Sequence, residues 1–310
     1  MIEDRRSYPA LWSRRSLWIA FLLAPAALVM IVFVAWPLVS ALRLSFYAFD
    51  SLKPGAFIGF ENFREVLFEH PFSDATYNAF WHNIEVFIAA MIFENGLGFL
   101  LAFALFKQLP GYRFHQVVVF LPVVLSAIIV GFLWKLLFNP LFGLVNGLLA
   151  LVGIAGPAWL GDASTALGSL IFANTWHWIG FPTMVLLAGM QRISREVIEA
   201  ARLDGAGDWV VLRQIVWPLV APSVTIVTIL TFIGSFNWFD LPYVMTGING
   251  SPGGATDVLG LYFYRTAFGS ETSGIQNFGQ GSALAVLMFL FVAAVTFVAL
   301  RFLRGREIEL

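Results

Sequence analysis

Six long apolar runs dominate this chain, at about 17–42, 84–106, 116–138, 167–190, 219–245 and 282–303. At about 1.5 Å per residue, each run is long enough to cross the ~30 Å hydrocarbon core of a bilayer. Backbone amides and carbonyls find no water there, so each run is expected to fold as a helix. No ten-residue blocks of period-two alternation point to a barrel. The fold class that follows is all-α and integral to the membrane, with six transmembrane helices. Composition agrees: 59% of the 310 residues are hydrophobic and only 12% are charged. A soluble domain of this length needs more charge to cover its surface. The chain has no cysteine, which excludes disulfides, thiolate metal sites and a catalytic thiol. No block of like charge forms a nucleic-acid patch.

The segment 141–160 is also apolar, but Gly143, Gly147, Gly153, Gly156 and Pro157 interrupt it. Charge decides how to read it. With six spans, one side collects Arg5, Arg6, Arg14 and Arg15 before the first run, and Lys107 and Arg113 between the second and third. The same side collects Arg192, Arg195, Arg202 and Arg213 after the fourth, and Arg301, Arg304 and Arg306 at the end. That is thirteen of the eighteen basic residues, and the basic side is cytoplasmic. A seventh crossing would destroy this asymmetry, so 141–160 reads as an external hairpin or surface-lying helix. Residues 1–16 are then a cytoplasmic tail and 17–310 the transmembrane domain. Both termini are cytoplasmic. Ser13-Arg14-Arg15-Ser16-Leu17 loosely resembles an export signal, but the apolar run after it is long enough to span, so no cleavage is expected.

The loop 191–217 is cytoplasmic in this arrangement, and it is organised. Ser194 suits a helix N-cap, and Glu196 in the first turn complements the helix dipole. Residues 195–203 are good helix formers. Asp204 favours a turn, and Gly205 suits a left-handed helix end. A second short helix is expected over 208–216, with Pro218 opening the next span. Ala200 and Ala201 leave a smooth surface for close approach, while Glu199 and Arg202 offer directional contacts. A plain connector needs none of this.

Glu199-Ala200-Ala201, then Gly205, Ile215 and Pro218, resemble the EAA signature of ABC importer permeases. The wider stretch VIEAARLDGAGDWVVLRQIVWPLVAPS resembles carbohydrate importer permeases. So do LAPAALVMIVFVAWPLVSALRLSFYAFD, FIGFENFREVL, FLPVVLSAIIVGFLWKLLFNPLFGLVNGLL and IGSFNWFDLPYVMTG. The likeness runs over roughly 22–303 and is nearest to the sugar and glycerol-phosphate type. It departs at TGINGSPGGAT, where the family has a shorter glycine-rich turn. The resemblance implies a type I importer permease in a bacterial-type inner membrane. Its implied partners are a second homologous permease, two cytoplasmic ATPase subunits and an extracytoplasmic solute-binding protein. The binding protein would meet the external loops after the first, third and fifth spans. The resemblance also implies an ATPase-coupling role for Glu199, Ala200, Ala201, Arg202, Asp204 and Gly205. ATP and Mg would sit on the partner subunits, with no cofactor in this chain.

The residues themselves carry no catalytic constellation. Lys53, Lys107 and Lys135 are followed by Pro54, Gln108 and Leu136, so no phosphate-binding P-loop exists. The four histidines lack metal-ligand spacing. Polar residues within the runs mark a candidate solute path: Glu94 and Asn95 in the second, Asn174, Trp176 and His177 in the fourth, Asn237, Asp240 and Tyr243 in the fifth. Asn237, Asp240 and Tyr243 are expected on one helix face. Amides, carboxylates and aromatic faces suit a sugar. The same residues could instead join helices to one another. Arg43 and Lys135 lie near span ends, which favours a neutral or modified sugar over a phosphate ester. The alternative reading is an ion-coupled secondary transporter, which would need a buried ion site and works as a single gene product. An intramembrane enzyme would need paired catalytic residues at one depth.

Overall fold

The computed structural model describes residues 9–50, 53–269 and 276–304. Arg5, Arg6 and Arg306 of the basic tails lie outside them. The first helix, α1 (residues 9–44), begins at Pro9, inside the expected tail. It passes through a π-helical turn, Ile31–Ala35, into Trp36–Leu44. The wide turn comes just before Pro37, whose ring has no N–H to donate and crowds the carbonyl four residues back. None of the apolar window of α1 is buried; its last part, Trp36–Leu44, packs against the final helix.

Two short strands follow, β1 (Tyr47–Asp50) and β2 (Lys53–Phe57), paired antiparallel with Phe49 opposite Pro54. This hairpin is a small departure from the all-α expectation. Helix α2 (Glu61–Phe68) carries buried Asn62, whose Nδ2 donates to the Ser45 and Tyr47 carbonyls at 2.8 and 3.0 Å. The end of α1 is thereby tied to the segment that follows it.

Helix α3 (Phe72–Phe106) starts twelve residues before the expected span and is 35 residues long. That is about 52 Å, well beyond ~30 Å of hydrocarbon. The next elements come as bent pairs. Helices α4 (Tyr112–Val124) and α5 (Ala127–Leu137) meet at 98°. Ser126 caps α5, its Oγ accepting the Ile128 N–H at 3.3 Å. The short helix α6 (Leu144–Leu151) lies in the segment 141–160. Helices α7 (Ala163–Trp178) and α8 (Gly180–Met190) meet at 41°. Helix α9 (Arg195–Leu203) precedes α10 (Asp208–Leu219), which meets α11 (Ala221–Phe236) at 72°.

The fifth expected span, 219–245, is therefore not one helix. Helix α11 stops at Phe236, and Asp240–Thr246 forms a separate helix, α12. Nor does the second short helix end at 216, with Pro218 opening the span. Helix α10 runs through Pro218 to Leu219, widened into a π turn at Val211–Val216 before that proline, and Pro222 stands in the first turn of α11. Helices α13 (Leu259–Phe268) and α14 (Phe278–Arg304) complete the chain. Among the described residues, three helices are long and apolar enough to cross a membrane, or up to six if each bent pair is one span.

Three apolar clusters hold the bundle. Phe99, Leu186, Met190, Val211 and Val216 join α3, α8 and α10. Gly98 allows the tight α3–α8 approach, since a Cβ there would lie 3.3 Å from Pro182 Cγ. Val66, Ala79, Phe232, Phe236 and Leu284 join α2, α3, α11 and α14. Val130, Trp134, Leu170 and Leu241 join α5, α7 and α12.

One face of α3 also anchors the segment after α12. Asn78 Nδ2 donates to Gly254 O at 3.0 Å and His82 Nδ1 to Asp257 O at 2.7 Å. Asp257 is buried and held by both Arg265 nitrogens, at 2.6 and 3.1 Å. Burial pushes its carboxyl up from the ordinary range, and Arg265 opposes that shift. Fully buried Asn83 bridges two broken ends: its Nδ2 donates to Ser235 O and its Oδ1 accepts the Leu259 N–H at 2.8 Å. Asn83→Leu strands a buried carbonyl and a buried amide. The expected cost is about 1–3 kcal/mol for each stranded group, read as a lower thermal unfolding midpoint of the detergent-purified protein. A midpoint equal to wild type would show that the break at Phe236 is held by other contacts.

Candidate functional site

Helix α9 is built as its residues dictate. The Ser194 Oγ accepts the Val197 N–H at 3.4 Å, and Glu196 lies in the first turn. At the other end Gly205 is left-handed, with φ +85°. Its N–H bonds Arg202 O at 3.0 Å, and the Ala206 N–H bonds Ala201 O at 2.9 Å. This reciprocal pair closes the helix end and satisfies two otherwise orphaned carbonyls. Asp204 is the C-cap residue. Only Ile193, Ile198 and Ala206 seat this region on the apolar core. Glu199 and Ala200 are exposed, Ala201 is half-buried, and Leu203 is 89% exposed. Among the described residues Glu199 makes no ion pair, although Arg195 and Arg202 stand one turn to either side.

Two residues that sequence reasoning did not assign complete this site. Lys107 Nζ, at the end of α3, donates to Asp208 Oδ2 at 2.6 Å, and Arg202 Nη2 lies 3.7 Å from Asp208 Oδ1. Lys107 holds the Asp208 carboxyl below the usual carboxylate range. Lys107 and Asp208 are 101 positions apart, so no local pattern announces the contact. A cleft of about 250 Å³ opens between α9 and the end of α3, lined by Lys107, Tyr112, Gln191, Arg195, Glu199 and Arg202 among others.

The second feature is a cavity of about 460 Å³ within the bundle. It gathers Glu94, Asn174, His177, Asn237 and Asp240 from the expected path, with Trp178, Trp238 and Phe239 around them. Asn174 Nδ2 donates to Glu94 Oε1 at 2.6 Å. His177 Nε2 donates to Leu125 O at 3.0 Å, and its Nδ1 is buried with no hydrogen-bond partner among the described residues. Asn237 ends α11, its Nδ2 donating to Ile233 O at 3.0 Å, and Asp240 begins α12.

Three expected path residues lie elsewhere. Asn95 joins α3 to α11 through Thr231, at 3.1 and 3.2 Å. Trp176 packs edge-on against Trp134, with centroids 5.7 Å apart. Tyr243 stacks on Phe239 at 5.3 Å. The expectation that Asn237, Asp240 and Tyr243 share one helix face is also overturned, because the chain breaks after Phe236. Ser235, which the sequence also marks as polar within the fifth run, lines the cavity, and so do Thr231 and Trp238, which were not singled out. The Trp238 indole could have been, since IGSFNWFD packs aromatic and amide groups together.

Residues 94–307 match the family described as "Binding-protein-dependent transport system inner membrane component". The chain belongs to this family. It is accordingly a multi-pass inner-membrane transport component that works with a binding protein, not a catalyst. It is 32% identical over 295 residues to the probable ABC transporter permease protein YurN of Bacillus subtilis (strain 168), covering 93% of this chain and 97% of that one. It is 31% identical over 288 residues to the sulfoquinovosyl glycerol transport system permease protein SmoG of Agrobacterium fabrum (strain C58 / ATCC 33970), covering 92% and 90%. A crystal structure of a bacterial alginate ABC transporter, in complex with an alginate pentasaccharide-bound periplasmic protein, contains a chain of the same fold. The TM-score is 0.76 at 21% identity, covering 94% of the permease described here and 93% of that chain. The matched range includes both α9 and the cavity.

Gly205 has open space around it, since an added Cβ would meet nothing within 4 Å. Its requirement is therefore conformational. Gly205→Val is expected to cost about 1–2 kcal/mol of local stability, and Gly205→Asn less, read as hydrogen-exchange protection at Ala206. Equal protection in the two variants would show that the turn does not depend on a left-handed residue.

Proposed function

We propose that this permease imports a sugar or sugar-like solute, forming half of the path, and is driven by ATP hydrolysed on separate subunits that engage α9. The observation that carries the reading is α9 itself: capped at both ends, seated by three apolar residues, with Glu199 unpaired among the described residues and Leu203 fully offered outward. Glu199 and Arg202 give a partner directional contacts, Ala200 and Ala201 let it come close, and Asp204 and Gly205 hold the turn. Arg202 of α9 lies 3.7 Å from Asp208 of α10, which Lys107 in turn ties to the end of α3, so a push on α9 moves α10 with it. From the 72° bend at Val220, α11 carries that motion over about 24 Å of helix to Asn237 at the cavity. Rocking of this lever would alternate access between the two sides.

The partners in this reading are two ATPase subunits carrying ATP and Mg on the cytoplasmic side, and a second homologous permease closing the path. A solute-binding protein would dock on the external loops after the first and fifth spans. Both termini are cytoplasmic. The substrate class rests on the cavity: amide and carboxylate groups suit hydroxyls, and Trp178, Trp238 and Phe239 suit the apolar faces of sugar rings. It agrees with the relative named for sulfoquinovosyl glycerol and with the alginate-bound neighbour.

Two measurements test this. Tagged protein extracted from native membranes in mild detergent is expected to bring down a related permease and an ATPase subunit. Solute-stimulated ATP hydrolysis by that complex is expected to fall at least tenfold with Glu199→Arg, the loss of about 1.4 kcal/mol of coupling. A lone protein that moves solute without ATP would revive ion-coupled transport. For the cavity, Asn237→Ala and Trp238→Ala are expected to raise the half-saturating solute concentration or alter solute preference while basal ATPase activity stays at wild type. Unchanged uptake in both variants would remove these residues from the path.

A further inference from the structure

Between α5 and α7 the chain runs through 26 residues, 136–161, without one charged side chain; Lys135 and Asp162 bracket them. The segment is nonetheless folded. Asn146 Oδ1 accepts from Trp159 Nε1 at 2.6 Å, and its Nδ2 donates to Pro157 O at 3.3 Å, pinning the two arms of the hairpin together. Val145 packs one side of α6 on the cluster around Trp134 and Phe138. The opposite side is bare. Leu144, Leu148 and Leu151 recur at helical spacing and are 59, 55 and 81% exposed. Leu141, Phe142 and Val152 extend the same apolar surface. Phe132, Leu133 and Leu136 of α5, a few residues earlier and within one of the bent pairs apolar enough to span, are exposed as well.

We propose that this hairpin is embedded in the outer lipid interface, α6 lying in the membrane plane with its leucine face among acyl chains. An apolar surface this continuous is costly in water and marks an interaction site. Three features favour lipid over a soluble protein as its occupant. The face follows within a few residues on the exposed apolar residues of a pair apolar enough to span. From 136 to 161 it carries no charged side chain of the kind that a transient protein interface uses for orientation. Trp159, whose ring N–H is satisfied inside the hairpin, gives the unit an aromatic body suited to headgroup depth. The inference rests on the permease being a membrane component and not on its solute. It removes the loop after the third span from the surfaces that would receive the binding protein.

The chain has no native cysteine, so single labels can be placed cleanly. Leu148→Cys, Leu151→Cys and Val152→Cys, with Asp74→Cys as a water-exposed reference, would carry a nitroxide in the assembled transporter reconstituted into lipid nanodiscs. Power saturation then compares collision with oxygen, which concentrates in lipid, and with a water-soluble nickel chelate. The expected result is oxygen-dominated relaxation at 148, 151 and 152 and nickel-dominated relaxation at 74. Nickel dominance at all four would place the hairpin in water and overturn the proposal. Low collision with both agents at 148 and 151 would show protein covering the face, which also overturns it. Val152 lies outside the helix, so its label reports even where a change within α6 disturbs folding. Adding the binding protein is expected to leave the three signals unchanged; shielding by it would restore the loop as a docking surface.

Discussion

A helix that breaks inside a membrane leaves carbonyls and amides with nothing to bond, and this chain breaks its helices repeatedly. The cost of each stranded group is several kcal/mol in hydrocarbon, so the fold depends on how the breaks are repaired. Several of the repairs use a polar side chain. His177 covers the Leu125 carbonyl at the 98° bend, and Thr183 Oγ1 covers Ile179 O at 2.7 Å at the 41° bend. Asn83 covers Ser235 O and receives the amide that opens α13. The broken geometry opens the cavity between α3, α7 and α11, and these side chains let it exist.

This gives several buried polar residues two readings that sequence alone does not separate. Glu94, Asn174 and His177 line the cavity, yet Glu94 and Asn174 bond each other and His177 bonds backbone. Asn95 turned out to be a joint between α3 and α11. Polarity within an apolar run marks a residue that has a partner, and it does not say whether the partner is solute or protein. Only the fold distinguishes the two, because the partners lie 52 to 136 positions away.

What was legible in the residues was local. The cap at Ser194, the helix 195–203 and the left-handed Gly205 follow from side-chain chemistry within a few positions of each other, and the structure has each of them. The apolar runs located the helices, because burial of a backbone in lipid requires them. Run length did not locate the ends. Helix α3 begins outside the run because hydrogen bonding continues through the polar residues of its first turns. Helix α11 ends within its run because Asn237 and the aromatic residues after it turn the chain at a point where hydropathy is still high. The π turns before Pro37 and Pro218 are readable afterwards as a response to proline, but proline alone is compatible with a kink, a stop or a first turn.

The first helix stands apart from this economy. Its apolar stretch has no buried residue and no break that another helix must repair, whereas α4 with α5, and α10 with α11, are bent at elements too short to cross alone. During synthesis the first segment can therefore partition from the insertion machinery into lipid on its own hydrophobicity, as soon as it emerges. The bent pairs have no such independence. The pair of α4 and α5 must wait at the machinery until α7 has been made, because the Leu125 carbonyl at its bend depends on His177, so this step of biogenesis is written in which carbonyl needs which distant side chain.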